Sequence, residues 1–310
     1  MALAENIKLR RMALGLSQQE LADRMGYKTR STIARIESGE NELPDIKLRK
    51  MAVALDTTVD FLKTGIEPEY STKTEFVRNY GDSRNVAVVL AGGKSTRNLQ
   101  NVPNQFVNIL GKPVIIYCLE AYQRHPAIDE INIVCLSGWE SILDAYVKQY
   151  HITKVSSIIK AGDTGILSVK NGVQSLKCND DDIVILQEST RPLITEDLIS
   201  KLIFSCETGV AVCKPMDDTI QFLRSEERLE YIDRESIISL QNPEAYRYHI
   251  LKKAFDEADA NEHHYIESCC AMMMYNLGYR LKFIEANNNN LKVVRQEDLA
   301  ILGALLKNRV

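Results

Sequence analysis

Apolar positions along the chain fall into two regimes that change over near residue 85. Before it they recur at helical spacing in short bursts: Leu21, Ala22 and Met25, then Ile33 and Ile36, then Leu48, Met51, Ala52 and Leu55. This predicts short helices separated by tight turns over residues 4–65, with Val59–Leu62 closing the set. Ser17 followed by Glu20 is a capping box, the hydroxyl taking a backbone N–H of the new helix while the carboxylate reaches back. Gly26 ends that helix, a second runs from about Ser31 to Ser38, and a third occupies Asp45–Leu55. Gly65–Arg84 is polar and aperiodic, as a linker is. From Asn85 onward the period changes. Val86–Leu90, Ile131–Leu136, Ile183–Leu186 and Gly209–Cys213 are short apolar runs suited to strands buried on both faces. They alternate with Val114–Arg124, Trp139–Gln149, Ile166–Ser175 and Thr195–Cys206, which read as helices. That alternation predicts an α/β domain built on a parallel sheet with helices on both faces. Asn287–Asn290 reads as a polar turn between two strands.

At 310 residues the chain exceeds the usual size of one domain, so three segments are expected: 1–65 helical, 66–84 linker, 85–310 α/β. Composition adds two exclusions. No run of roughly 18 apolar residues is present to span a membrane, and the N-terminus has no signal-peptide core, so a cytoplasmic protein is expected. The seven cysteines are odd in number and scattered without metal-ligand spacing, which predicts reduced core residues. Charge is unevenly shared. Residues 1–65 carry a net +2 and the remainder −6, which suits a small anion-binding module on an acidic body.

The most informative stretch for chemistry follows the first strand. Ala91-Gly92-Gly93 lays the backbone bare, and Lys94, Ser95, Thr96 and Arg97 add donors and positive charge, the makings of a phosphate cradle. The spacing is neither that of a P-loop nor that of a dinucleotide fingerprint. In open α/β sheets ligands sit at the carboxyl ends of strands, where Ala91–Arg97 and Gln187–Arg191 both fall, so the two segments are expected to converge.

Two resemblances carry these observations further. Leu16–Leu55 resembles the phage-repressor type of helix-turn-helix, including the glycine in the turn and the Ile33-x-x-Ile36-Glu37-x-Gly39 ending. In that family the second helix of the pair lies in the major groove of duplex DNA. The resemblance therefore implies Gln18, Lys28, Arg30, Ser31, Thr32 and Arg35 as DNA contacts. From Asn85 to Val310 the chain resembles cytidylyltransferases that make CDP-activated alcohols, of the methylerythritol-phosphate and ribitol-phosphate kind. Ala91-Gly92-Gly93, Arg97, Pro103-x-Gln105-Phe106, Gly162-Asp163, Ser168-Val169, Arg191-Pro192, Lys292 and Glu297-Asp298-Leu299 carry it.

This second resemblance implies a Rossmann-like fold, CTP and a sugar- or polyol-phosphate as substrates, Mg²⁺ as cofactor, and a homodimer formed through an arm at roughly Cys213–Tyr231. It makes Arg97 and Lys292 catalytic and Ala91, Gly92, Gly93, Gly162, Asp163 and Ser168 nucleotide-binding, with Glu188 and Thr219 near the acceptor or metal. Three departures stand out. Asn104 replaces a phosphate-binding lysine, leaving Lys94 to supply the charge. Gly165 and Phe222 stand where arginines are expected. A chain so altered is either a working transferase joined to a DNA-binding module or a regulator that senses CTP or a CDP-alcohol.

Overall fold

The computed structural model describes residues 2–41, 43–55, 57, 62–63, 65, 83–94, 102–215, 221–224, 229–233, 236–260, 269–286 and 289–308. The chain divides into two compact units, Met1–Asn79 and Tyr80–Val310.

The first unit holds α1 (Ala2–Ala13), α2 (Gln18–Met25), α3 (Arg30–Glu37) and α4 (Asp45–Ala54). Ser17 caps α2 with the reciprocal box expected of it, and Gly26 ends the helix at φ 73°, a left-handed conformation that favours glycine. Leu21, Met25, Ile33, Ile36, Leu48, Met51 and Leu55 form the core, joined by Ile7 from α1 and by Leu62. Val59–Phe61 lie outside the described residues, so the closing segment is represented by Leu62 alone.

The second unit is ordered along β1 (Asn85–Ala91), β2 (Asn108–Ile109), β3 (Lys112–Pro113), α5 (Val114–Arg124), β4 (Glu130–Cys135), α6 (Glu140–Gln149), β5 (Val155–Lys160), α7 (Gly165–Gln174), β6 (Ile183–Glu188), α8 (Glu196–Ser205), β7 (Gly209–Pro215), β8 (Gln221–Arg224), β9 (Leu229–Ile232), β10 (Ile238–Arg247), α9 (Tyr248–Ala260), α10 (Cys270–Asn276), β11 (Lys282–Glu285) and α11 (Gln296–Lys307). Seven strands form one sheet in the order β11-β7-β10-β6-β1-β4-β5. Their pairs are parallel except where β10 runs antiparallel between β6 and β7. The N-terminal unit is thus helical with a helix-turn-helix, and the second is α/β with a mostly parallel sheet. Asn85 begins the strand, and Arg84 before it is already tied to the sheet: its N–H donates to Asp182 and its guanidinium pairs with Glu130.

Two departures from the sequence pattern matter for the site. No strand is expected at β10, because Gln241-Asn242-Pro243-Glu244 interrupts its apolar run and proline removes a ladder donor. The strand forms nonetheless, with a register shift between Gln241 and Glu244 that absorbs the interruption. The polar turn is also different from expectation. Asn290 is buried, its amide donating to Gln241 Oε1 at 2.9 Å and to the Asn242 carbonyl at 2.8 Å. Leu291–Val294, after it, is not a strand but an irregular segment leading into α11. Asn287 and Asn288 lie outside the described residues.

Candidate active site

A cleft of 730 Å³ opens at the carboxyl ends of β1, β5 and β6. The glycines at its mouth are there for space. A Cβ on Gly92 would come within 2.6 Å of Ala161 Cβ, and one on Gly162 within 2.7 Å of Leu167, so the β1 turn lies directly against Ala161 and the β5–α7 turn folds tightly onto the start of its own helix. Gln105, buried beneath them, fixes the first turn by donating to the Ala91 and Gly93 carbonyls, both at 2.9 Å. Ser168 fixes the second. Its hydroxyl accepts from Gly162 N–H at 3.1 Å and donates to the Thr164 carbonyl at 2.9 Å. Asp163 and Lys94 are exposed on the cleft rim.

Across the cleft, β6 ends in Glu188. Its carboxylate is flanked by Lys292 Nζ at 2.5 Å and Arg191 Nε at 2.8 Å. Burial pushes this acid up, but the two cations outweigh burial and hold it below the usual carboxylate range. Arg191 also donates to the Asn290 carbonyl at 2.8 Å, so it braces the loop. Glu188 N–H donates to Asn242 Oδ1 at 3.0 Å, which welds β6 to the β10 bulge.

The cleft therefore brings together Gly92, Gly93, Lys94, Gly162, Asp163, Ser168, Glu188 and Lys292 from the residues singled out in the sequence. Ala91 lies just beneath, buried at the end of β1. Arg97 and Thr219 lie outside the described residues, as do Ser95 and Thr96. Sequence reasoning missed Glu244, Asn242 and Lys160, which also line the cleft. Glu244 follows Gln241-Asn242-Pro243, so the local pattern reads as a polar turn and carries no signal for it. Asn104 also has a structural account. Buried and only 3% exposed, it donates to the Val293 and Val294 carbonyls at 3.3 and 3.0 Å, holding the segment that presents Lys292. All seven cysteines are free, and burial pushes the thiols of Cys269 and Cys270 at the cleft upward, away from thiolate character.

In the first unit Lys28, Arg30, Ser31 and Arg35 are exposed and Thr32 is half-buried, while Ile33 and Ile36 turn inward. Gln18 is engaged within the unit, donating to Glu37 at 2.9 Å beside the Arg11–Glu37 pair.

A bare glycine turn at the end of a central strand, with Lys292 across the cleft from it, is an anion-binding arrangement of the kind nucleotide-handling α/β proteins use. A family profile for 2-C-methyl-D-erythritol 4-phosphate cytidylyltransferase matches residues 85–308, and one for a helix-turn-helix matches residues 7–62. The chain is 37% identical over 230 residues to a ribitol-5-phosphate cytidylyltransferase of Lacticaseibacillus paracasei, covering 72% of this chain and 98% of the relative. It is 31% identical over 235 residues to a 2-C-methyl-D-erythritol 4-phosphate cytidylyltransferase of Alkaliphilus metalliredigens, covering 73% and 95%. Among solved structures, 4-diphosphocytidyl-2C-methyl-D-erythritol synthase of Anaerococcus prevotii shares the fold with a TM-score of 0.64 at 19% identity, over 73% of this chain and 99% of that one. The chain belongs to the 2-C-methyl-D-erythritol 4-phosphate cytidylyltransferase family.

Proposed function

We propose that the α/β unit transfers CMP from CTP to a polyol phosphate, with ribitol 5-phosphate the first candidate, and that the helical unit binds duplex DNA. The observation that carries the transferase reading is the convergence of the two glycine turns, Asp163, Glu188 and Lys292 on one cleft. The first-named relative's activity favours the ribitol acceptor. In the reaction an oxygen of the acceptor phosphate attacks the α-phosphorus of CTP as the bond to the pyrophosphate oxygen breaks. That oxygen is already anionic, so no base is required. What the site must supply is positive charge and positioning. The glycine turns would hold the triphosphate, Asp163 would accept the cytosine amine, and Lys292, with Lys94 and Arg97, would face the phosphates. A Mg²⁺ suits this donor set because that ion needs only one or two carboxylates plus substrate phosphates, and Glu188 is the cleft carboxylate that would hold it; bound, it would neutralise triphosphate charge.

The assay is pyrophosphate release with CTP and a panel of polyol phosphates. Turnover with at least one of them supports the transferase, and binding of CTP without turnover favours a CTP- or CDP-alcohol-sensing regulator. The second reading is kept for one reason: Asn104 spends its side chain on backbone carbonyls where the family resemblance expects a charge.

Base selectivity gives a sharper test. Uracil presents an acceptor where cytosine presents a donor, so a carboxylate at position 163 would repel UTP. Calorimetry is expected to find CTP bound far more tightly than UTP, with Asp163→Ala closing most of the gap. Equal affinities in the unaltered protein would remove Asp163 from the base site.

Dimeric, salt-sensitive DNA binding is expected as well, since one small module contacts few phosphates and two half-sites are needed. The exposed apolar side chains of Tyr231, Ile238 and Leu240 on the β8–β10 arm support a homodimer. Arg35→Ala is expected to weaken specific binding by about 1–3 kcal/mol in gel retardation with selected genomic fragments. A full chain that retards no duplex at low salt would end the DNA-binding reading. Among the described residues no helix is long and apolar enough to cross a membrane.

A further inference from the structure

Glu244 is a carboxyl in an unusual place. It is 2% exposed, on the one antiparallel strand of the sheet, yet it lines the cleft. Tyr246, two residues on and therefore on the same face, donates its hydroxyl to Glu244 Oε2 at 2.9 Å. The Ala271 N–H supplies a second hydrogen bond. The charged and titratable groups facing it, among the described residues, are Glu188 from β6, Tyr246 from its own strand, and Cys269 and Cys270 from the start of α10. None is a cation. Lys292 of the cleft is paired with Glu188.

An acid buried without a cation lowers stability, so a purely architectural role would be met as well by a glutamine or an apolar residue. A carboxyl has capacity for about four hydrogen bonds and this one has two partners within the protein. The rest of its capacity faces the cleft. Such a group attracts hydroxyls and repels phosphates. It lies on the Glu188 side, away from Asp163 and the β5–α7 turn that would receive the base. An acceptor with a phosphate at one end and hydroxyls along its length would then lie in one direction only, phosphate toward Lys292 and hydroxyls toward Glu244.

We propose that Glu244 is a specificity-determining residue that hydrogen-bonds a hydroxyl of the polyol-phosphate acceptor from the floor of the cleft. This rests on the polyol-phosphate reading of the site. It assigns to the β10 bulge, held by Asn242 and Asn290, the task of aiming that carboxyl.

The test uses the full chain with CTP, Mg²⁺, ribitol 5-phosphate and its monodeoxy analogues, comparing unaltered protein with Glu244→Gln and Glu244→Ala. The unaltered protein is expected to prefer ribitol 5-phosphate over one deoxy analogue by roughly 10–10²-fold in kcat/KM, the value of a hydrogen bond to a charged group. Glu244→Ala is expected to raise the KM for ribitol 5-phosphate by a similar factor and to erase that preference, with the KM for CTP unchanged. Glu244→Gln, which keeps the shape and packing, is expected to fall between and carries the test if the alanine variant fails to fold. Turnover of ribitol 5-phosphate with neither its KM nor the deoxy preference altered by Glu244→Gln or Glu244→Ala overturns the assignment and leaves the transferase reading standing. No turnover of any polyol phosphate by the unaltered protein overturns both.

Discussion

Lys292→Ala is expected to lower the rate of pyrophosphate release by roughly 10²–10³, the usual loss when one preorganised donor is removed from developing charge. The transition state gathers a triphosphate and an acceptor phosphate at one point, and the described cleft offers three lysines to meet them: Lys94, Lys160 and Lys292. Of these, Lys292 is the one whose position is fixed from several sides. Glu188 holds its ammonium, Asn104 holds the two carbonyls after it, and the Val293 N–H donates to the Thr190 carbonyl at 2.8 Å. A fixed cation contributes more than a mobile one because no reorganisation is needed when charge develops. Steady-state assays at saturating CTP and acceptor measure the effect. A fall of less than about threefold would move the phosphate-facing role to other cations, since a loss that small is under 1 kcal/mol.

The second large effect concerns stability and pH. Burial pushes the Glu244 carboxyl up to about 7, with Glu188 adding to the rise and the Tyr246 hydroxyl partly opposing it. An acid whose folded pKa lies above its unfolded value contributes its full stability below the unfolded value. That contribution is lost as pH climbs through the folded one. The protein is therefore expected to weaken between about pH 4.5 and about pH 7 through this group, by about 3 kcal/mol in all. Glu244→Gln should remove that slope, so that the variant is the more stable protein at pH 8 and close to the original at pH 4.5. Urea titrations followed by tryptophan fluorescence report the right unit, because Trp139 is the single tryptophan and stacks on Phe106 with ring centroids 4.5 Å apart. Parallel pH dependences in the two proteins would show that Glu244 does not titrate in this range.

Much of the fold was legible because its elements obey one period each. β1, β4 and β6 are largely buried and read as mainly apolar runs, and α2 is bracketed by a capping box and a left-handed glycine. The Ala91–Gly93 turn was legible as bare backbone at a strand end, whereas Gly162 was reached only through the family resemblance, because the half-exposed β5 before it shows no unbroken apolar run. What escaped was set by contacts between distant segments. β10 was hidden by Pro243 and its polar neighbours, which a ladder tolerates only because Asn242 and Asn290 tie the bulge to β6 and to the loop before Lys292. Glu244 was hidden with it. Asn104 looked in the sequence like a lost charge. Its hydrogen bonds, nearly 190 residues along the chain, give it a different use that no local pattern encodes.

The chain enters the sheet at Arg84–Asn85, the amino end of β1, while the cleft lies at the carboxyl end of the same seven-residue strand. At about 3.3 Å per residue those ends are about 20 Å apart. What precedes β1 therefore joins the α/β unit at the end of that strand opposite the cleft. Relatives that align over 95–98% of their own length with the region after that junction have room for a graft there without losing any catalytic segment. This makes the architecture modular in a particular sense. The segment ahead of residue 85 can change while the catalytic end of β1 keeps its sequence and its neighbours.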